Sequence, residues 1–275
     1  MDCIIFASAS ALARGIRERH FSATEVLEAL IAHIDRHNPR LNAFATLNGE
    51  QARKRAQEAD AALARGELWG PLHGVPITIK DTLETAGCLT TSGNPDLSAY
   101  IPEQDATAVA RLRRAGGILL GKTNPAAMAG DYQSTNPLFG RVNNPWNLAC
   151  TSGGSSGGSA AAIASGMSPL DLGSDIAGSI RQPAHYCGVF GLKPTDRRVP
   201  TTGHIPELPG LPKGIRRMLC LGPLARSVED LRLSLSLIAG ADGRQPEIPP
   251  VPLDAANARE LSSCRIAWTD AFAGV

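Results

Sequence analysis

Thr151-Ser152-Gly153-Gly154-Ser155-Ser156-Gly157-Gly158-Ser159-Ala160, followed by Leu172-Gly173-Ser174-Asp175-Ile176-Ala177-Gly178-Ser179-Ile180-Arg181, sets two serine-bearing turns close together in a chain of 275 residues. Each serine is flanked by residues small enough for backbone amides to approach a ligand, a layout suited to an anionic reaction centre. A Gly/Ser run can equally be a passive linker. This one, however, lies between an irregular segment and the Ala-rich run at 159–165, in the most apolar part of the chain. A loose tether there would bury unpaired backbone groups, so an anion-binding turn at a helix N-terminus is the better account.

Outward from this stretch, the sequence predicts a close-packing helix at 159–165 and a strand at 170–174. Upstream, Gly74-Val75-Pro76-Ile77-Thr78-Ile79-Lys80-Asp81 reads as a buried strand closed by a lysine, which on its own is better explained by an amine reaching for water. Residues 105–115 form an amphipathic helix stopped by Gly116-Gly117, and Ile118-Leu119-Leu120 returns as a strand. Alternation of this kind is an α/β signature. Nearer the start, Ser22-Ala23-Thr24-Glu25 is a capping box whose helix is expected to stop at Asn38-Pro39. A short strand within 41–47 and a helix at 51–64 follow, ending at Gly66. Residues 124–150 read as a long irregular connection, 201–213 as loop, 228–239 as helix, 243–253 as a proline-rich linker, and Arg265-Ile266-Ala267-Trp268 as a strand. This divides the chain into an N-terminal helical segment packed on the core (1–66), the core itself (67–240) and a C-terminal tail that opens with the proline-rich linker (241–275).

Twenty-seven Lys and Arg against 26 Asp and Glu leave a net charge of +1, which provides no field for nucleic acid or an acidic membrane. The six cysteines are scattered without a C-x-x-C pair, as in a reducing compartment. Met1 to Phe6 is acidic and too short in apolar residues for a signal peptide, and no run approaches the roughly 20 apolar residues of a membrane span. A soluble, cytoplasmic protein is expected.

Three local patterns compete with the two serines. Gly116 to Thr123 fits G-x-x-x-x-G-K-T, but its variable positions prefer strand, and the phosphate-binding loop needs them free. G-x-S-x-G occurs twice, centred on Ser155 or Ser156, without the preceding strand a nucleophile elbow requires; His185 and His204 are the only downstream histidines. His33 and His37 have metal-ligand spacing but lack the motif's other members, and read as a solvent-facing pair. Cys187 has no basic neighbour and reads as core.

The segments 74–81, 121–124, 143–147, 153–158 and 173–181, continuing to Gly191-Leu192-Lys193-Pro194-Thr195, together resemble the amidase signature family, in the right order over most of residues 20–240. The resemblance implies a three-layer α/β/α fold with a mixed central sheet and a Ser–cis-Ser–Lys triad: Ser179 as nucleophile, Ser155 as bridging serine, Lys80 as base. It also implies an oxyanion hole from the N–H groups of Ile176, Ala177, Gly178 and Ser179, with Gly154, Ser156, Asp175 and Arg181 in support. Family members hydrolyse carboxylic amides without metal or organic cofactor, and one branch supplies the ammonia-releasing component of the aminoacyl-tRNA amidotransferase. The implied partner is a small-molecule amide, with no nucleic-acid or membrane contact and a homodimer permitted. The chemistry agrees: serine must lose its proton to a base, and a lysine dried by burial at a strand end can be that base.

Two departures stand out. Ala177 occupies a position where many relatives have glycine, which is acceptable only away from positive φ. Family members are also considerably longer, which implies that the half completing the sheet and much of the pocket is missing. Three functions follow: an amide hydrolase, a component of the tRNA-dependent amidotransferase, or an inactive fragment. The generic segment 130–136 favours the first.

Overall fold

In the computed structural model, which describes residues 2–205, 215, 217–249, 253 and 261–265, the apolar run after Val75 becomes a strand buried at every position. In chain order the strands are β1 (Phe44–Leu47), β2 (Pro76–Lys80), β3 (Ile118–Thr123), β4 (Thr135–Asn136), β5 (Gly140–Arg141), β6 (Leu170–Asp175), β7 (Phe190–Gly191) and β8 (Cys220–Ala225). Six of them form one sheet of order β1-β3-β2-β6-β8-β7, and β4 and β5 make a separate small pair. β2 runs parallel to β3 and β6, whereas β1 is antiparallel to β3, and β8 is antiparallel to both β6 and β7. The large sheet is therefore mixed, as expected.

Helices cover both sides. Along β8, Leu224 packs with Ala160 and Ile163 of α6 (Gly157–Ala164) and with Ala184 of α7 (Arg181–Cys187). Leu221 and Ala225, of opposite parity, join the larger cluster that contains Leu231 and Ile238 of α8 (Val228–Ile238). A strand turns alternate residues to opposite faces, so α6 and α7 lie on one side and α8 on the other. α8 also packs on α5 (Thr107–Arg114), which completes three layers.

The remaining helices are α1 (Asp2–Ile5), α2 (Ala9–Arg17), α3 (Ala23–Leu41) and α4 (Gly49–Ala64). The capping box forms at Ser22 and Glu25, but α3 continues through Pro39 to a left-handed cap at Asn42. The cap lies three residues after the proline, where the Asn38 side chain accepts from the Ala43 and Phe44 amides at 2.8 and 3.2 Å. β3 likewise outruns its expectation and carries Gly121, Lys122 and Thr123 as strand, so no phosphate-binding loop exists at this position. The linker at 243–253 and the strand at 265–268 lie largely outside the described residues, as does 206–213 of the loop. No helix among the described residues is long and apolar enough to cross a membrane.

Candidate active site

Lys80 closes β2 with its side chain fully buried. Its Nζ donates to Ser155 Oγ at 2.7 Å and to Ser174 Oγ at 3.0 Å. Burial disfavours the ammonium and outweighs the opposing pull of Asp171 and Asp175, which brings the amine down to about 7. The sequence offered a solvated lysine as the plain alternative. The structure instead encloses the amine and gives it two serine hydroxyls as partners.

Ser155 follows a cis peptide bond from Gly154. Gly153, at φ 81°, supplies the turn before it. Gly154 leaves no space for a side chain, since a Cβ would sit 2.6 Å from Gln133 N. Its N–H donates to Gln182 at 3.1 Å. Ser134, from the irregular connection, braces the turn from outside: its amide donates to Gly153 O at 3.0 Å, and its Oγ accepts from Gly157 N at 2.8 Å. Ser156, expected to support the turn, donates from its backbone to Ser179 O at 3.1 Å and from Oγ to Ser174 O at 3.3 Å. The two quoted turns are therefore tied directly to one another.

The second turn is organised by Asp175. Its carboxylate accepts from the amides of Gly178 and Ile180 at 2.8 and 2.9 Å, and from the Arg181 guanidinium at 2.9 and 3.1 Å. Burial would raise this carboxyl, but the bonds from Arg181, Ile180 and Gly178 prevail and hold it at about 2. The four amides expected to form the oxyanion hole differ in their partners. The Gly178 N–H donates to Asp175 in this arrangement, whereas no hydrogen bond from the amides of Ile176, Ala177 and Ser179 is found among the described residues. Gly178 takes the positive φ of 129° that only glycine adopts readily, and Ala177 does not.

A cavity of about 170 Å³ opens between the turns, and Ser155, Ser174 and Ser179 share its lining with His204. Met128, Ile176, Ile215 and Leu219 make its wall apolar. Met128 and Ala129 both hold left-handed backbone, at φ 51° and 55°, a conformation that non-glycine residues keep where the surroundings enforce it. Outside the cavity, the exposed Tyr132 donates to Ala177 O at 3.2 Å and so reaches the nucleophile turn. Ser174 and His204 were not expected here. Ser174 could have been noticed as a hydroxyl inside a buried strand, whereas no local signal placed His204.

Elsewhere, His33 and His37 are half-buried with ring centroids 4.3 Å apart and planes tilted by 41°; both line an open surface groove, and His33 Nε2 lies 2.8 Å from Ser165 O. No group of three or more His, Cys, Asp or Glu among the described residues is placed to hold a metal ion. Cys187 is core, and burial pushes its thiol up to about 12.

The amidase family profile matches residues 25–274. Over 232 residues the chain is 45% identical to the A component of a glutamyl-tRNA(Gln) amidotransferase from Roseiflexus, covering 84% of this chain and 45% of that protein. Among solved structures, fatty acid amide hydrolase superposes with a TM-score of 0.87 at 29% identity, covering 95% of this chain and 46% of that one. The peptide amidase of Stenotrophomonas maltophilia gives 0.81 at 32% identity, covering 90% and 51%. The chain thus spans about half the length of the relatives it matches. With the profile extending over nearly its whole length, the chain belongs to the amidase family.

Proposed function

We propose that this chain carries the catalytic residues of an amide hydrolase. The observation that supports this most directly is the dry Lys80 amine 2.7 Å from Ser155 Oγ, on a cavity that Ser155 shares with Ser179. Ser179 Oγ attacks the amide carbonyl and passes its proton to Ser155, which passes its own to Lys80. The amides of Ile176, Ala177 and Ser179 receive the developing oxyanion, a donor of this kind being worth about 3 kcal/mol. The Lys80 ammonium returns its proton through Ser155 to the departing amine, and water releases the acid by the same route in reverse. The apolar wall of Met128, Ile176, Ile215 and Leu219 suits an uncharged acyl group.

A fluorophosphonate probe tests the assignment. Wild type is expected to be labelled on Ser179, and Ser179→Ala and Lys80→Ala to lose labelling while keeping the wild-type circular dichroism spectrum. Labelling that survives Ser179→Ala removes the nucleophile from this scheme. A second reading, the glutamine-hydrolysing component of a tRNA-dependent amidotransferase, is favoured by the name of the Roseiflexus relative. Ammonia release from glutamine only when the other components of such a complex are added would select it over hydrolysis of simple amides.

A further inference from the structure

β6 turns Asp171, Gly173 and Asp175 to one side by its alternation, and Thr78 and Lys80 of β2 share that side. Thr78 is the register partner of Asp171 and donates to its Oδ2 at 2.6 Å. Thr123 of β3 donates to the same oxygen at 3.0 Å. The other oxygen, Oδ1, is buried with no hydrogen-bond partner, and the whole residue is inaccessible to solvent. A carboxylate held only by neutral hydroxyls is costly to bury unless a cation lies near. Asp175 differs, because Arg181 and three backbone amides saturate it.

We propose that Asp171 is a positioning residue for the reaction: locked beside β2 by Thr78 and Thr123, on the side of the sheet that carries Lys80, its carboxylate is the counter-charge that stabilises the ammonium formed when Lys80 takes the Ser179 proton through Ser155. The charged groups acting on Lys80 are Asp171 first and Asp175 second, both from β6. β3 and α6 add only the hydroxyls of Thr123 and Ser159, and the Arg181 charge is engaged by Asp175. Burial raises the Asp171 carboxyl and the Lys80 charge opposes that rise, so each group favours the ionised form of the other.

Asp171 matters in this way only if Lys80 is the base, and two readouts separate the two statements. Asp171→Asn and Asp171→Leu, each checked for a folded circular dichroism spectrum, remove the charge with and without a polar replacement. An anion beside an amine raises its pKa, so removing it makes Lys80 neutral at lower pH. The acid limb of the fluorophosphonate labelling profile is expected to move down by about one pH unit. The plateau is expected to fall roughly three- to tenfold, because the base is weaker and its ammonium has lost a counter-charge. A direct titration of Lys80 by nitrogen-15 NMR on lysine-labelled protein should show the same downward displacement. An unmoved Lys80 titration in both variants overturns the role of Asp171, whatever the activity. A titration displaced in both variants, with a wild type that takes no label, supports the coupling of Asp171 to Lys80 and instead overturns the proposed hydrolase.

Discussion

Two lysines, Lys80 and Lys122, are fully buried within one sheet, and their surroundings give them different work. Lys122 lies 3.4 Å from Asp81 and donates to Leu83 O and Thr90 Oγ1, both at 2.8 Å, which ties the segment after β2 to β3. Lys122→Met would leave the Asp81 carboxylate buried without its cation. A loss of about 3–5 kcal/mol in urea unfolding is expected, with part of it recovered in Lys122→Met/Asp81→Asn. Lys80 instead faces hydroxyls, and burial has lowered its amine to about 7. A base works only when neutral, so the rate of fluorophosphonate labelling should climb as pH rises through about 7. A rate flat across about two units either side would exclude Lys80 as the base. At this scale the sequence was informative where a residue type conflicts with its surroundings: a lysine closing an apolar strand, serines in a glycine run. It was silent on Ser174 and Asp171, whose roles depend on the register of β6 against β2, and on His204, which a loop carries back to the site.

The elements that position the site follow the same division. β2, β3, β6 and α6 were legible because apolar runs or small residues sit between clear breakers. β8 was not, because Gly222-Pro223 lies inside Cys220-Leu221-Gly222-Pro223-Leu224-Ala225 and reads as a turn. In the fold, Gly222 gives the space a close approach needs, since a Cβ there would overlap Leu192 O. α7 was hidden by Pro183, which the first turn of a helix accepts. The most sensitive joint is α6, whose N-terminus follows Ser155 directly. A Cβ on Gly158 would lie 2.5 Å from both N and O of Asn124 and 2.6 Å from Ala43 O, all rigid backbone. Gly158→Ala is expected to lower stability by about 1–3 kcal/mol in urea unfolding and to slow probe labelling, because α6 must move and take Ser155 with it. Gly49→Ala, whose Cβ would meet only the flexible Arg53 side chain at 3.5 Å, should leave both unchanged. Equal effects from the two substitutions would mean that α6 is not fixed by this contact.

Across the whole molecule, the segment up to residue 66 contributes a strand to the main sheet as well as helices packed on the core. β1 pairs with β3, and residues of α1 to α4 share one hydrophobic cluster with β2, β3 and β6. Two polar ties fasten the N-terminus to the far end of the chain. Asp230 of α8 accepts from the Ala9 and Ser10 amides, both at 2.9 Å, and so caps α2 from outside its own sequence. Arg226 sends its guanidinium to Ile163 O and Ser168 O at 2.8 and 2.7 Å and to Ala7 O at 2.7 Å, and burial lowers it to about 10. One side chain thus joins the residues before α2 to the C-terminal end of α6, on the helix that carries the Ser155 turn at its other end. Arg226→Ala would leave several carbonyls without a donor, and a loss of about 3 kcal/mol or more is expected. The form of the loss decides how the molecule is built. If the N-terminal segment and core are one cooperative unit, hydrogen exchange in Arg226→Ala should accelerate together in α2, α3 and α6, with a single urea transition throughout. Acceleration confined to α1 and α2, with α6 still protected at its wild-type level, would mean instead that the N-terminal segment docks as a separate module.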